Sequence, residues 1–156
     1  MRDLGMDVEQ ELRPAEVLLV EDDDDDAYLT VRALEEAKLS INLTRVSNGL
    51  ECIAVIRQEG DPPTPFPDLV LLDLNMPRMS GQEVLGEMSG DAQLSKVPVT
   101  VMTTSVDQRE LMNQYKLNTL RFISKPIDFN HFREVLGTIE EFFLSVVVRE
   151  EAGGEP

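Results

Sequence analysis

Residues 68–77, Asp-Leu-Val-Leu-Leu-Asp-Leu-Asn-Met-Pro, carry the strongest indication of the fold of this chain. Its aliphatic part, Leu69–Leu72, is short and bounded by turn-forming residues, which is typical of a parallel strand buried on both faces. Asp73 ends this run. Because ligands of open α/β sheets bind just beyond the carboxyl ends of the strands, the pattern places the Asp73 carboxylate where such a fold carries its chemistry.

On both sides of this segment, short apolar runs alternate with longer amphipathic runs along the chain. This alternation predicts an α/β fold with five parallel strands, right-handed crossovers and helices on both faces of the sheet. We expect the doubly wound strand order 2-1-3-4-5, the flavodoxin-like arrangement. The predicted strands are 17–21, 41–46, 68–73, 97–103 and 120–124, and the predicted helices are 25–38, 48–59, 81–89, 107–116 and 128–148.

The length of 156 residues favours a single domain, which we place at 15–149. Residues 1–14 are polar and acidic and predict a flexible arm, and residues 150–156, rich in Glu and Gly, predict a flexible tail. The segment 60–67 carries four prolines and predicts a stiff loop before the third strand.

Composition narrows the possible partners and the compartment. A formal net charge of −16 argues against nucleic-acid and membrane-surface binding, since both need clustered Lys and Arg. Cys52 is the only cysteine, so an internal disulfide is excluded and a reducing compartment is expected. The start has no apolar core of a signal peptide, and no apolar stretch reaches about 18 residues. We therefore expect a cytoplasmic protein.

Polar side chains follow four of the five predicted strands. The first strand ends in Glu21 with Asp22 directly after it, Asp73 ends the third, Thr103 ends the fourth and Lys125 follows the fifth. In the order 2-1-3-4-5 these four strands are consecutive neighbours, spaced about 4.8 Å apart. We therefore expect the three acids to share one pocket that the Lys125 side chain can reach.

Three clustered carboxylates require more positive charge than one lysine supplies. Two charges about 4 Å apart interact by about 4 kcal/mol at an effective dielectric of about 20. All-oxygen ligation selects a hard divalent ion such as Mg²⁺. A metal on one side and Lys125 on the other would hold a phosphoryl group, with a threonine hydroxyl on one of its oxygens. Asp73 would then be the nucleophile that becomes an acyl phosphate.

These residues resemble the receiver domain of two-component response regulators, from Val17 to about Val147. Each motif alone is weakly specific, but four of them in this order and spacing are strong. They are Val-Leu-Leu-Val-Glu-Asp at 17–22, Leu-Leu-Asp-Leu-Asn-Met-Pro-Arg-Met-Ser-Gly at 71–81, Val-Pro-Val-Thr-Val-Met-Thr-Thr-Ser at 97–105 and Phe-Ile-Ser-Lys-Pro-Ile at 122–127.

The resemblance implies a phosphoacceptor and a magnesium site. Asp73 corresponds to the phosphoacceptor, and Asp22, Asp73 and the backbone carbonyl of Asn75 correspond to the Mg²⁺ ligands. Glu21 would act on the metal through water. The phosphoryl donor would be a sensor histidine kinase.

The resemblance also implies a conformational switch. Thr103 corresponds to the switch hydroxyl, with Thr104 as the competing candidate, and Phe122 corresponds to the switch aromatic residue. Lys125 corresponds to the phosphate-binding lysine. On phosphorylation Thr103 would move toward the phosphoryl oxygen and Phe122 would repack into the vacated space.

Within that family the chain looks most like the small stand-alone regulators that serve bacterial phytochromes, which makes a bacteriophytochrome a candidate kinase. The features in common are the proline-rich loop, Thr-Thr-Ser at 103–105 and an extended apolar last helix. Ser80 departs from the family pattern, which commonly has Asp before the glycine at 81.

Two groups of residues outside these motifs have plainer interpretations. The positive end of the helix dipole stabilises acids at a helix start, so we assign Asp24–Asp26 to a solvated charge run or a helix start and leave Asp23 open. His131, the only histidine, is interpreted as a structural or surface residue. The peptide bond to Pro126 is a candidate for the cis form, which is mostly confined to X-Pro bonds.

The last predicted helix carries more apolar surface than one domain covers, which predicts a symmetric homodimer through this helix. The alternative is a monomer whose helix end folds back. One stripe would pack on the sheet, and three further apolar residues lie outside it. The stripe consists of Phe129, Phe132, Leu136, Ile139, Phe143, Val146 and Val147, and the additional residues are Phe142, Leu144 and Val148. We expect no output domain to follow, so that another chain or a second copy of this chain would recognise the phosphorylated state.

Two other functions compete with the phosphoacceptor. Mg²⁺-dependent phosphohydrolases with an aspartate nucleophile usually carry a second acid two residues later, where this chain has Asn75. Unphosphorylated interaction modules with a receiver fold usually lose part of the acidic pocket or the lysine, and this chain keeps both. We therefore favour a signalling phosphoacceptor that is not an enzyme.

Overall fold

The computed structural model describes residues 14–37, 40–74, 76, 79–103, 120–125, 130, 131 and 134. Within them lies a five-stranded parallel sheet in the order β2-β1-β3-β4-β5, which confirms the predicted fold. The strands are β1 (Ala15–Val20), β2 (Ile41–Val46), β3 (Leu69–Asp73), β4 (Val99–Thr103) and β5 (Leu120–Ser124).

Three α-helices and one 3₁₀ turn connect these strands in the described residues: α1 (Asp24–Ala37), α2 (Gly49–Ile56), α3 (Gly81–Ser89) and the turn Leu94–Lys96. The helix predicted over 48–59 is shorter at its end than expected. Gln58 and Gly60 adopt positive φ angles of 58° and 118°, and this left-handed geometry cannot continue a right-handed helix. The start of α2 is as predicted, because the Asn48 side chain accepts a hydrogen bond from the Glu51 N–H at 3.0 Å.

Three strands have different bounds from those predicted, and the smallest difference is in the third, which begins at Leu69 rather than at 68. The first begins at Ala15 and ends at Val20, so Glu21 lies just beyond the strand, with its N–H donating to the Val46 carbonyl at 3.1 Å. The fourth begins at Val99 rather than at 97, because Pro98 has no N–H with which to join the ladder.

The sheet is buried between two apolar layers, as expected for a parallel sheet. Successive residues of β1 point to opposite faces. Leu18 and Val20 belong to the cluster formed with α2 and α3, and Val17 and Leu19 belong to the cluster formed with α1. All five residues of β3 are buried, so its end is a low-dielectric setting for the side chain of Asp73.

The proline-rich loop is tied to the end of α2. The Gln58 side-chain amide donates to the carbonyls of Val55, at 2.9 Å, and Thr64, at 2.8 Å. Gly60 and Pro63 form an isolated bridge, and the Asp61–Pro62 bond is cis. The bond to Pro126, the predicted candidate for this form, lies outside the described residues.

Several predictions fall outside the described residues: the arm up to Arg13, the helix at 107–116, the ten apolar residues of the last helix and the tail at 150–156. Residues 130, 131 and 134 are helical, in agreement with the predicted last helix, and His131 is half-buried. Among the helices that the structure describes, none has the length and apolar character needed to cross a membrane.

Candidate functional site

The carboxyl edge of the sheet gathers the polar residues that the sequence placed after the strands. Asp73 and Thr103 are the last residues of β3 and β4, and Lys125 follows β5 by one residue. The Lys125 N–H donates to the Thr103 carbonyl at 3.2 Å, which fixes the start of the lysine side chain beside β4. Strand pairing therefore brings Asp73, Thr103 and Lys125 to one place.

Three carboxylates converge at this edge. One oxygen each from Glu21, Asp22 and Asp73 lies within 4.8 Å of the others. Glu21 is 0% exposed and Asp73 is 4% exposed, whereas Asp22 is exposed to solvent. Because burial removes the water that screens charge, the repulsion between Glu21 and Asp73 is much stronger than it would be on the surface.

Lys125 supplies positive charge to this cluster. Its Nζ lies 2.9 Å from Glu21 Oε1, 2.9 Å from Asp26 Oδ2 and 3.5 Å from Asp73 Oδ2, and its side chain is 14% exposed. One ammonium thus contacts three carboxylates, and Asp22 is a further member of the acidic cluster.

The pKa values of two groups reflect this crowding. Burial, reinforced by the neighbouring Asp73 and opposed by Lys125, raises the pKa of Glu21 from 4.5 to about 7. Burial by itself lowers the pKa of Lys125, but contacts with Asp26, Glu21 and Asp73 outweigh it and raise that pKa above its ordinary value. The lysine therefore stays charged, while Glu21 gains or loses a proton near neutral pH.

These side chains line an open cavity of about 500 Å³. The lining consists of Glu21, Asp22, Asp23, Asp26, Asp73, Thr103 and Lys125. A water molecule occupies about 30 Å³ in the liquid. The cavity therefore has room for a hydrated cation together with a tetrahedral anion.

Asp26 lies at the helix start to which the sequence assigned it, but its side chain also belongs to this site, which the sequence did not predict. Its carboxylate lies in the first turn of α1 and accepts a hydrogen bond from Lys125 Nζ at 2.9 Å. Asp24 fits the surface assignment, because it is 91% exposed and pairs with Arg45. No local sequence pattern singled out Asp26 within the run of five aspartates.

Asp23, which the sequence left open, starts α1. Its Oδ2 accepts a hydrogen bond from the Asp26 N–H at 2.8 Å, and its own N–H donates to Glu21 Oε2 at 3.3 Å. The first bond satisfies an N–H at the helix start in the manner of an N-cap. Asp23 therefore fixes the backbone that carries the Asp26 side chain.

Of the remaining candidate residues, Thr103 and Phe122 lie within the described part of the chain. Thr103 is 2% exposed and lines the cavity. Phe122 is half-buried and packs against the apolar cluster of α2 and α3. Asn75 and Thr104 lie outside the described residues.

The loop after β3 closes tightly against α3. A Cβ at Gly81 would lie 2.6 Å from both the Asp73 carbonyl oxygen and the Leu74 Cα, so only glycine fits. Ser80, the departure from the family pattern, caps α3: its Oγ accepts from the Glu83 N–H and its N–H donates to Glu83 Oε1. Serine and aspartate are both good N-caps, so the exchange preserves the cap.

The donor set fits a hard divalent cation. Glu21, Asp22 and Asp73 offer only carboxylate oxygens, the ligands that Mg²⁺ prefers, and Asp22 is open to solvent, which suits an ion that keeps several of its waters. The cluster around Lys125 is also strongly anionic, which favours a cation electrostatically.

The chain belongs to the response regulator receiver domain family, whose model matches residues 17–137. The curated relatives include Response regulator Rcp1 of Synechocystis sp. (strain PCC 6803), which is 33% identical over 135 residues, or 86% of this chain and 92% of Rcp1.

Solved structures of phytochrome response regulators share the fold. The bacteriophytochrome response regulator RtBRR superposes with a TM-score of 0.74 and 32% identity, over 81% of this chain and 78% of RtBRR. Phosphorylated RcpA, a cyanobacterial phytochrome response regulator, superposes with a TM-score of 0.67 and 37% identity, over 85% of this chain and 95% of RcpA. The Mn²⁺-bound form of the response regulator Rcp1 superposes with a TM-score of 0.66 and 34% identity, over 84% of this chain and 95% of Rcp1. The predicted likeness to phytochrome-associated regulators is confirmed.

Proposed function

We propose that Asp73 accepts a phosphoryl group from a sensor histidine kinase in the presence of Mg²⁺. The observation that carries this proposal is the Asp73 carboxylate at the end of β3, 3.5 Å from Lys125 and within the acidic cluster of Glu21 and Asp22. Two relatives support a bacteriophytochrome as the kinase, since RtBRR is a bacteriophytochrome response regulator and RcpA is a cyanobacterial phytochrome response regulator.

In the transfer step, an oxygen of the Asp73 carboxylate attacks the phosphorus on the kinase histidine. The new P–O bond forms as the P–N bond breaks, and the bonding electrons return to the histidine nitrogen. The Lys125 ammonium forms an ion pair with the negatively charged phosphoryl oxygens, and the Thr103 hydroxyl donates a hydrogen bond to one of them. Asp22, Asp73 and the Asn75 carbonyl would hold Mg²⁺, with Glu21 acting through water. The ion supplies positive charge that neutralises the transferred group.

We infer that the protein signals through its acyl phosphate and does not turn over substrate. The second residue after Asp73 is Asn75, whose side-chain amide is far too weak an acid to protonate a leaving group. The output is then a change in protein contacts, with Thr103 and Phe122 as the switch pair. A cytoplasmic location suits a partner of the kinase domain.

The last helix is the proposed homodimer surface, with 15–149 as the domain that carries it. Phe142, Leu144 and Val148 add apolar residues outside the helical stripe, and a second copy would cover them. Sedimentation of the full chain and of a chain cut after Glu141 is expected to show a dimer and a monomer. Two monomers would contradict the dimer.

Intact-mass spectrometry after incubation with Mg²⁺ and a small phosphodonor tests the function. A single phosphate adduct is expected on the wild-type chain and on Asp61→Asn, an exposed control in the proline-rich loop. The adduct should be absent from Asp73→Asn. Donor turnover without an adduct would support a phosphohydrolase, and no reaction at all would support an interaction module.

A further inference from the structure

The Lys125 ammonium contacts carboxylates that differ widely in their exposure to solvent. Glu21 and Asp26 both lie 2.9 Å from Nζ, but the Glu21 side chain is 0% exposed and the Asp26 side chain is 44% exposed. Asp73, the proposed phosphoacceptor, lies farther away at 3.5 Å. The contacts around the ammonium are therefore strongest with two groups that do not accept the phosphoryl group.

We propose that Asp26 is a positioning residue that holds Lys125 in the unphosphorylated protein and gives it up to the phosphoryl group on Asp73. The inference rests on the proposed function and assigns a role to a residue outside the acidic cluster of Glu21, Asp22 and Asp73. It predicts that Asp26 weakens phosphoryl binding by competing for Lys125.

Exposure decides which partner yields. Water does not reach a buried carboxylate, so its charge stays unsolvated when the ammonium moves away. The separation of Glu21 from Lys125 therefore costs free energy. Asp26 is nearly half-exposed, so water solvates its carboxylate as soon as the ammonium moves away. Pairs of this kind contribute little net free energy and exchange readily.

Hydrogen bonds at the start of α1 fix the backbone of Asp26, and its side chain is therefore positioned next to Lys125. Asp26 lies in the first turn of α1, and its N–H is held by Asp23 Oδ2 at 2.8 Å. Lys125 is separately located by Glu21 and by the bond from its N–H to the Thr103 carbonyl. Removal of the Asp26 carboxylate therefore takes one partner from the ammonium, while Glu21 and the bond to the Thr103 carbonyl keep the lysine in place.

The experiment measures the affinity for beryllium trifluoride, which mimics a phosphoryl group on a carboxylate, by NMR titration at saturating Mg²⁺. We expect Asp26→Asn to bind the anion about two- to fivefold more tightly than the wild-type chain, the range of a partly exposed ion pair. Asp25→Asn is the matched control, because it removes the same charge one residue away at an exposed position that is not part of the cavity lining. Asp26→Glu restores a carboxylate and should return the wild-type affinity.

A measurement on the wild-type chain does not depend on any variant folding. When beryllium trifluoride is added at constant Mg²⁺, the carboxyl ¹³C resonance of Asp26 should move more than that of Asp25, because only Asp26 loses an ammonium partner. Equal movement of the two resonances would overturn the proposal.

The outcomes separate this inference from the proposed function. If the wild-type chain binds the anion and Asp26→Asn binds it as Asp25→Asn does, or more weakly, Asp26 does not compete for Lys125 and the inference is wrong. If the wild-type chain does not bind the anion with Mg²⁺, the proposed function fails, and the inference fails with it.

Discussion

Two cavities of similar size lie in different parts of the molecule, and each places a basic side chain among acids. The cavity at the carboxyl edge of the sheet, about 500 Å³, holds Lys125, and the groove between α2 and α3, about 560 Å³, holds Arg57. Arg57 lies 3.0 Å from Glu87, nearly the distance of Lys125 from Glu21.

The two regions differ in exposure. The side chains of Arg57 and Glu87 are 45% and 48% exposed, whereas those of Lys125 and Glu21 are 14% and 0% exposed. Water already solvates the charges in the groove, so little depends on their pairing. The buried charges of the edge cavity depend on one another and on any ion that binds. Burial, rather than distance, distinguishes the Lys125–Glu21 pair from the Arg57–Glu87 pair.

The largest expected effect comes from Lys125→Gln. The loss of a preorganised charge that meets the transferred group should slow formation of the phosphate adduct by about 100-fold. Arg57→Gln, the matched change in the groove, should leave the rate as in the wild-type chain. A time course of the intact mass with Mg²⁺ and a small phosphodonor measures both. A rate for Lys125→Gln within twofold of the wild type would remove the distinction between the two cavities.

Gly81 lies where the two regions meet, since α3 starts against the Asp73 carbonyl and lines the groove along its length. Gly81→Ala forces a Cβ to within 2.6 Å of that carbonyl and should lower the free energy of unfolding by about 1–3 kcal/mol. At Gly90 the Cβ would meet the Gly86 carbonyl at an ordinary 3.5 Å. Gly90→Ala should therefore be neutral or stabilising, and equal urea midpoints for the two variants would contradict this account.

The pH dependence of stability isolates the edge cavity. Since folding raises the pKa of Glu21 from 4.5 to about 7, the folded chain keeps a proton that the unfolded chain loses between these values. The contribution of Glu21 thus favours folding below pH 4.5 and is lost as the pH rises through about 7. Above pH 7 the ionised carboxylate repels Asp73, and Mg²⁺ would relieve this repulsion.

We therefore expect Mg²⁺ to raise Tm more at pH 8 than at pH 6. A tenfold excess of Mg²⁺ over its Kd adds about 1.4 kcal/mol, or about 3–5 °C, at the higher pH. Glu21→Gln should make the gain in Tm nearly independent of pH. Differential scanning calorimetry measures both chains, and an equal gain at both pH values in the wild-type chain would contradict the assigned role of Glu21.

The smallest effect is expected in the groove. A double-mutant cycle with Arg57→Gln and Glu87→Gln should give a coupling free energy of about 0–1 kcal/mol, because both side chains are nearly half-exposed. Urea unfolding of the four chains provides the value. A coupling above about 2 kcal/mol would mean that exposure does not distinguish the two regions.

The sequence predicted the parts of the site that depend on local pattern. The apolar run of β3 placed Asp73 at a strand end, and the strand order then placed Glu21, Asp22, Thr103 and Lys125 at the same edge. The end of α2 was missed because it depends on the left-handed backbone of Gln58, a residue type that carries no signal for that conformation.

Asp26 was missed for a different reason. Its partner Lys125 lies 99 residues away, and the contact arises only when α1 and the end of β5 are folded against the same edge. Within a run of five aspartates, no local pattern distinguishes the one that contacts Lys125 from those that face solvent. Long-range contacts of this kind require the structure.

Borohydride trapping shows which residue accepts the phosphoryl group, because hydride reduces an aspartyl phosphate to homoserine and so marks the residue that carried it. The chain is phosphorylated with Mg²⁺ and a small donor, reduced, digested and sequenced by mass spectrometry. We predict homoserine at position 73 and none at 22 or 26. Homoserine at another aspartate, or none at 73 in a chain that carries phosphate, would contradict the account.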